Sequence, residues 1–132
     1  MTADYTEPDL FAAALRGAAA RTGPFRLAVL WVHAEGRPHA YSAVADTLSD
    51  DALVAEVLGS RAAAPTAPPP RAPEALSRKR HRSVILGFTG QAPDTRWLGH
   101  KEISEGVLAA LRDPLDRRLH VVGRVRPWED RP

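Results

Sequence analysis

An apolar stripe at helical spacing is the first pattern along the chain. Apolar residues recur every three or four positions near the N-terminus, as they do along one side of an α-helix: Leu10, Phe11, Ala14, Leu15 and Ala18. Pro8 stands where a first helical turn would begin, and Gly23-Pro24 provides a stop signal. The pattern predicts a helix over residues 8–21.

A continuous apolar run follows this helix. Within the stretch from Phe25 to His33, every position from Leu27 to Val32 is apolar. Such runs are typical of strands covered on both faces, so we expect a buried strand. The next turn ends at Pro38, and residues 39–45 either return as the second strand of a hairpin or open a helix. A turn of this length that contains glycine favours the hairpin.

A second helix is predicted after this segment. Ser49, Asp50 and Asp51 have the chemistry of a helix N-terminus, where backbone N–H groups attract oxygen and negative charge. Apolar residues then recur at helical spacing before Gly59: Leu53, Val54, Val57 and Leu58. We therefore expect a helix over residues 50–58.

The C-terminal part of the chain predicts a strand–helix–strand unit. Ser83–Phe88 is a short apolar strand, residues 101–112 have helical spacing, and residues 118–126 form a last strand. The crossover should be right-handed, with the two strands parallel. Residues alternate along the last strand, which indicates that one face meets solvent or a partner. Its edge predicts a homo- or hetero-oligomer.

These elements together indicate the fold class. They predict an α/β (or α+β) fold, with a small mixed sheet of about four strands and three helices packed on it. A length of 132 residues suits one domain, residues 1–132. Within it, residues 61–82 read as a Pro/Ala-rich basic linker or inserted loop, because prolines stiffen the chain without forming a core.

Composition removes several classes of protein from consideration. The chain has no cysteine, which excludes disulfides, thiolate metal sites and a cysteine nucleophile, and we expect no metal and no cofactor. No apolar run approaches the ~20 residues of a membrane helix. The acidic N-terminus lacks the pattern of a signal peptide, so we expect a cytoplasmic protein that does not enter a membrane.

Positive charge is concentrated in the linker. Arg78-Lys-Arg-His-Arg82 places four permanent charges within five residues, although the whole chain has a formal net charge of only +2. Such a run neutralises phosphates, so it predicts contact with nucleic acid, or with an acidic protein partner. The predicted anion-binding residues are Arg78, Lys79, Arg80, Arg82, Arg124 and Arg126. The alternative is a solvated loop whose arginines reflect a GC-rich bacterial genome.

A second candidate site follows the apolar strand Ser83–Phe88. The loop Gly87–Gly90 ends this strand, and ligands of open α/β sheets bind at such strand ends. Gly87, Thr89 and Gly90 could therefore hold a phosphate or carboxylate, with a histidine as general acid or base. The candidate histidine–carboxylate pairs are His33 with Glu35 and His100 with Glu102. The alternative is a turn that simply requires glycine.

Trp128 is the third candidate, as an anchor for a partner. Trp and Arg dominate binding energy at many interfaces, and Trp128 follows the arginine-containing last strand. A tail that folds back over the sheet is the alternative. The sequence thus favours a non-enzymatic cytoplasmic binding or adaptor module for a macromolecular partner. The competing hypothesis is a small enzyme, or a small-molecule-binding subunit, with its site at Gly87–Gly90.

Overall fold

The computed structural model describes every residue from Met1 to Pro132. It confirms the predicted α/β class, with three helices, a parallel sheet of four strands and a two-stranded sheet. The helices are α1 (Pro8–Thr22), α2 (Arg37–Ala45) and α3 (His100–Leu111). The strands are β1 (Phe25–Leu30), β2 (Leu48–Leu58), β3 (Arg80–Leu86), β4 (Phe88–Thr89), β5 (Arg96–Trp97) and β6 (Leu119–Val122).

The strand order places β1 and β6 at the edges of the larger sheet. The order is β1-β2-β3-β6, while β4 and β5 pair antiparallel in the smaller sheet. β3 and β6 run parallel, with Ser83 opposite Leu119 and Leu86 opposite Val122. The predicted parallel pairing of the two strands that flank α3 is therefore confirmed. None of the helices has the length and apolar character that crossing a membrane requires.

The chain divides into two compact units. The N-terminal unit contains residues 1–55 and 72–81, and the C-terminal unit contains residues 56–71 and 82–132. The core of the N-terminal unit consists of Val32, Ala40, Tyr41, Val44, Leu48, Ala52, Val54 and Leu76. Phe11 and Leu15 of α1 pack against this core. In the C-terminal unit the buried apolar residues include Val84, Ile85, Leu86, Phe88, Ala110 and Val122.

Two predicted elements have the wrong type. Residues 37–45 form helix α2 and not a hairpin strand, because Pro38 lies in the first turn of a helix, where its missing N–H is harmless. Residues 48–58 form strand β2 and not a helix. A short apolar run fits both spacings, and the β-branched Val54 and Val57 favour the strand.

The boundaries of two further elements differ from the prediction. The last strand covers Leu119–Val122 only, because Gly123 adopts a φ of 72° and turns the chain away. The segment 61–82 contains 3-10 turns at Ser60–Ala63 and Glu74–Leu76, and its last three residues belong to β3. Leu76 within this segment has 0% of its surface exposed and belongs to the core of the N-terminal unit.

Candidate interaction surface

The basic run does not form one exposed patch. Arg78 and Arg80 are exposed, Lys79 is half-buried and Arg82 is buried. The Lys79 ammonium donates hydrogen bonds to two carbonyl oxygens at the start of β2, at 3.3 and 2.9 Å. Only two of the four charges therefore face the solvent freely.

Arg82 stabilises the end of α3 from inside the protein. Its guanidinium donates to the carbonyl oxygens of Ala110, Asp113 (3.2 Å) and Pro114 (2.7 Å), and its Nε donates to Arg117 O (2.8 Å). The last carbonyls of a helix lack intrahelical partners and carry partial negative charge, so a buried cation fits there. With 1% of its surface exposed, Arg82 cannot contact a nucleic acid, and that prediction is corrected.

Carboxylates lie beside Arg78 and Lys79 of the basic run. A cleft of ≈ 560 Å³ is lined by Ala45, Asp46, Asp50, Glu74, Ala75, Ser77, Arg78 and Lys79. One of its carboxylates, on Asp50, lies 3.8 Å from the Lys79 ammonium. Three acidic and two basic side chains line this cleft, so its charge repels phosphate more than it attracts it.

The structure forms a histidine–carboxylate pair that the sequence did not predict. His120 Nδ1 of β6 lies 2.5 Å from Asp113 Oδ2, just beyond α3. This hydrogen bond lowers the pKa of Asp113 below its usual value. Glu102, which the sequence paired with His100, instead binds Arg96 at 2.9 and 3.0 Å. The His120–Asp113 contact closes the turn between α3 and β6, which is a structural role.

Potential metal ligands are dispersed over the structure. No group of three His, Asp or Glu side chains converges in a geometry that would hold a metal ion.

The loop Gly87–Gly90 has no free amides at its start. The Gly87 N–H donates to Val122 O at 3.0 Å, and the Phe88 N–H donates to Arg124 O at 2.9 Å. A Cβ atom on Gly87 would lie 2.2 Å from the Arg124 carbonyl oxygen, so glycine is needed here for close backbone packing. Thr89 lies in β4 opposite Arg96. These amides cannot cradle an anion while they hold the backbone together.

The C-terminal arginines are also engaged within the chain. Arg124 donates to Gly90 O (2.7 Å), pairs with Asp130 (3.0 Å) and lies 4.6 Å from the centre of the Phe88 ring. Arg126 donates to Ala63 O at 2.7 Å. These contacts hold the C-terminal segment in place, so both guanidinium groups already have partners within the chain.

Trp128 packs under an arginine of its own segment. The Arg131 guanidinium lies 4.2 Å from the Trp128 ring centre, and the tryptophan is half-buried. This arrangement resembles the tail alternative more than an exposed anchor.

The clearest exposed surface is an apolar row on β1. Leu27 and Val29 of this strand and Trp31, the next residue in the alternation, are 49%, 46% and 59% exposed. On the other face, Ala28 and Leu30 pack against the core of the N-terminal unit. The sequence predicted burial of both faces, and this is wrong because α1 and α2 cover only one of them. We call these three side chains the β1 apolar row.

The backbone of β1 is open on the same strand. The Phe25 N–H donates to Thr47 O, so the odd-numbered residues of β1 direct their backbone groups toward β2. The backbone groups of Arg26, Ala28 and Leu30 therefore point outward from the edge. Natural edge strands are usually protected by charge, proline or a bulge, and β1 has only the charge of Arg26.

Comparison with known proteins adds no relative. No family model, no curated protein and no solved structure matches this chain. Of the side chains predicted to bind an anion, Arg78 and Arg80 remain exposed without a hydrogen bond to the rest of the chain. The β1 apolar row, which was not predicted as a site, is a group of exposed apolar side chains on an edge strand.

Proposed function

We propose that the protein is a non-enzymatic binding module that recognises a polypeptide by adding a strand to the β1 edge. The observation that carries this proposal is the β1 apolar row on an edge strand with open backbone groups. In strand addition, main-chain hydrogen bonds supply affinity, and alternate side chains supply specificity. β1 offers both on one strand.

The energy available at this surface supports a specific interaction. From their fractional exposures, the three side chains leave about 300 Å² accessible. An added strand lies beside these side chains and covers part of that area, so at about 25 cal/mol per Å² burial contributes at most about 7 kcal/mol before the costs of association. Trp31 provides the largest part, and tryptophan is enriched among residues that dominate binding energy. A weak to moderate affinity follows.

The earlier alternatives have less support. Nucleic-acid binding through the basic run depends on Arg78 and Arg80. Arg78 shares its cleft with Asp46, Asp50 and Glu74, and the charge of Arg80 acts on the Asp51 carboxylate. A small enzyme with an anion site at Gly87–Gly90 loses its main argument, because the amides at the start of this loop are already in hydrogen bonds.

A peptide selection tests the proposal. The protein, immobilised at low density, is offered a displayed library of extended peptides with apolar residues at alternate positions. We expect enrichment on the wild type and none on Val29→Lys, which puts a charge in the middle of the row without disturbing the core. Enrichment of the same peptides on both proteins would contradict binding at β1.

A further inference from the structure

We propose that the polypeptide bound at β1 is a second copy of this chain, paired antiparallel about a two-fold axis at Val29. The inference rests on the proposed function and adds the identity of the partner. It starts from the symmetry of the β1 apolar row, in which Leu27 and Trp31 stand two residues on either side of Val29. A two-fold interface requires a self-complementary surface, and this row is one.

The backbone parity of β1 fits this register. Ala28 and Leu30 direct their N–H and C=O groups outward, and a two-fold axis at Val29 places Ala28 opposite Leu30 of the second copy. These two residues then exchange both hydrogen bonds, as in a hydrogen-bonded antiparallel pair. The odd-numbered residues occupy the non-hydrogen-bonded positions, where facing side chains are closer together.

The side chains distinguish this register from its neighbours. With the axis at Val29, Leu27 faces Trp31 of the second copy and Val29 faces itself, so every exposed apolar side chain meets another. An axis at Ala28 would place Trp31 opposite Phe25, whose ring packs against the core. An axis at Leu30 would place Leu27 opposite the exposed His33. Only the central register pairs the complete row.

Charges at the two ends of β1 are complementary in the same arrangement. Arg26 is exposed at the beginning of the strand, and Glu35 is exposed in the 3-10 turn Ala34–Gly36 beyond its end. Antiparallel pairing brings the beginning of one strand toward the region beyond the end of the other. Each Arg26 thus approaches the acidic turn of the second copy, twice per dimer.

The size of the surface predicts a reversible dimer. The β1 apolar row supplies at most about 300 Å² per copy, while a standard interface buries about 800 Å² per partner. The row therefore forms the apolar centre, and the paired backbones and flanking residues form the rim. An interface of this kind dissociates on dilution, so the dimer should depend on protein concentration.

Engineered cysteines test the register directly, because the chain contains none of its own. Non-hydrogen-bonded residues face each other with Cα atoms about 4.5 Å apart, which lies in the range that a disulfide accepts. Val29→Cys should therefore form a covalent dimer under mild oxidation. Leu27→Cys mixed with Trp31→Cys should form a disulfide-linked mixed dimer. Ala13→Cys, an exposed position on α1, is the control and should form no covalent dimer.

Sedimentation from about 1 to 300 µM tests the association itself. The wild-type mass should rise from 14.3 kDa toward twice that value. Val29→Lys, which places two ammonium groups at the axis, should weaken association by at least about 30-fold. Leu119→Lys is the matched control, because Leu119 is 44% exposed on the other edge strand, and it should change association by less than about 3-fold.

The outcomes separate this inference from the proposed function. If the wild type is a monomer at every concentration, the inference that the partner is a second copy is overturned. The proposed function would still stand if Val29→Lys abolished peptide selection. A dimer that survives Val29→Lys, with no disulfide at Val29→Cys, would also overturn the inference, since it would use another surface. A wild-type protein that stays monomeric and enriches the same peptides as the Val29→Lys variant would overturn both the inference and the proposed function.

Discussion

The two edges of the four-stranded sheet differ in how they meet solvent. β1 has six residues, an exposed apolar row and one charged residue, Arg26. β6 has four residues and one large exposed apolar side chain, Leu119, with Arg117 and Arg118 directly before it. Both edges have unpaired backbone groups, but β6 is short and directly follows two arginines, and these features discourage strand addition.

The turn before β6 and the packing of α3 on this strand depend on residues that lie far from it in sequence. Arg82 holds the turn that precedes the strand, and the Asp113–His120 hydrogen bond closes this turn. Gly106 of α3 lies directly against Val122 of β6. β1 shows no comparable protection on its exposed face. This difference between the two edges is the basis for proposing β1, and not β6, as the edge that receives a partner.

The largest expected effect comes from removing the hydrogen bonds that hold the turn before β6. Arg82→Met should lower the free energy of unfolding by about 3 kcal/mol or more, because buried carbonyl oxygens at the end of α3 lose their donors. Chemical denaturation measures this change. Amide exchange should rise in β6 and remain unchanged in β1.

Arg80→Met is the control for the same strand. Arg80 is exposed, so its removal should change stability by less than about 0.5 kcal/mol. Equal effects of the two substitutions would show that Arg82 does not hold the end of α3, and the account of the β6 edge would be wrong.

Two glycine-to-alanine substitutions compare how closely α3 and α1 approach neighbouring atoms. A Cβ atom on Gly106 would lie 2.2 Å from Val122 Cγ1, whereas Gly17 of α1 has only the flexible end of Arg21 nearby, at 3.5 Å. Gly106→Ala should destabilise the protein by about 1–2 kcal/mol through overpacking. Gly17→Ala should stabilise it by about 0.5–1 kcal/mol, because alanine favours the helix. Thermal melting measures both, and equal signs would contradict the close approach of α3 to β6.

The smallest expected effect is a pH dependence at the start of α3. The Arg96 guanidinium, together with the Gly99 N–H, lowers the pKa of Glu102 from 4.5 to about 2. Because the folded-state pKa is depressed, this contact stabilises the protein above pH 4.5, and its contribution is lost as pH falls toward about 2. The pair is exposed, so salt should reduce the effect.

Urea midpoints as a function of pH measure this contribution. The difference in stability between the wild type and Glu102→Gln should shrink across the acidic range. An NMR titration that gives Glu102 an ordinary pKa would contradict the contact with Arg96.

The secondary structure was predictable wherever the spacing of apolar residues agreed with residues that start or stop a helix. α1 and α3 have clear apolar stripes with stop signals, and their predicted limits are close to those observed. The segment of α2 was predicted as a strand and that of β2 as a helix, because the few apolar residues in each fit both spacings. Pro38 was the missed signal, since proline marks the first turn of a helix as readily as it marks a loop.

The candidate site was less predictable, because it depends on contacts between distant residues. A strand that is apolar at every position looks buried, and its exposure is decided by whether helices cover one face or both. Arg82 looked like the arginines beside it, yet its partners lie about 30 residues further along the chain. Charge can be read from a sequence, but the atoms that satisfy that charge cannot.

Residue-resolved hydrogen exchange at low and high protein concentration tests the central claim most directly. The Ala28 and Leu30 amides point outward from β1, and the Leu119 and Val121 amides point outward from β6, because Arg118 O and Val122 O face β3. The β1 amides should become protected as concentration rises, while the β6 amides keep their rates. Unchanged rates in β1, or equal protection at both edges, would contradict the claim that β1 is the binding edge.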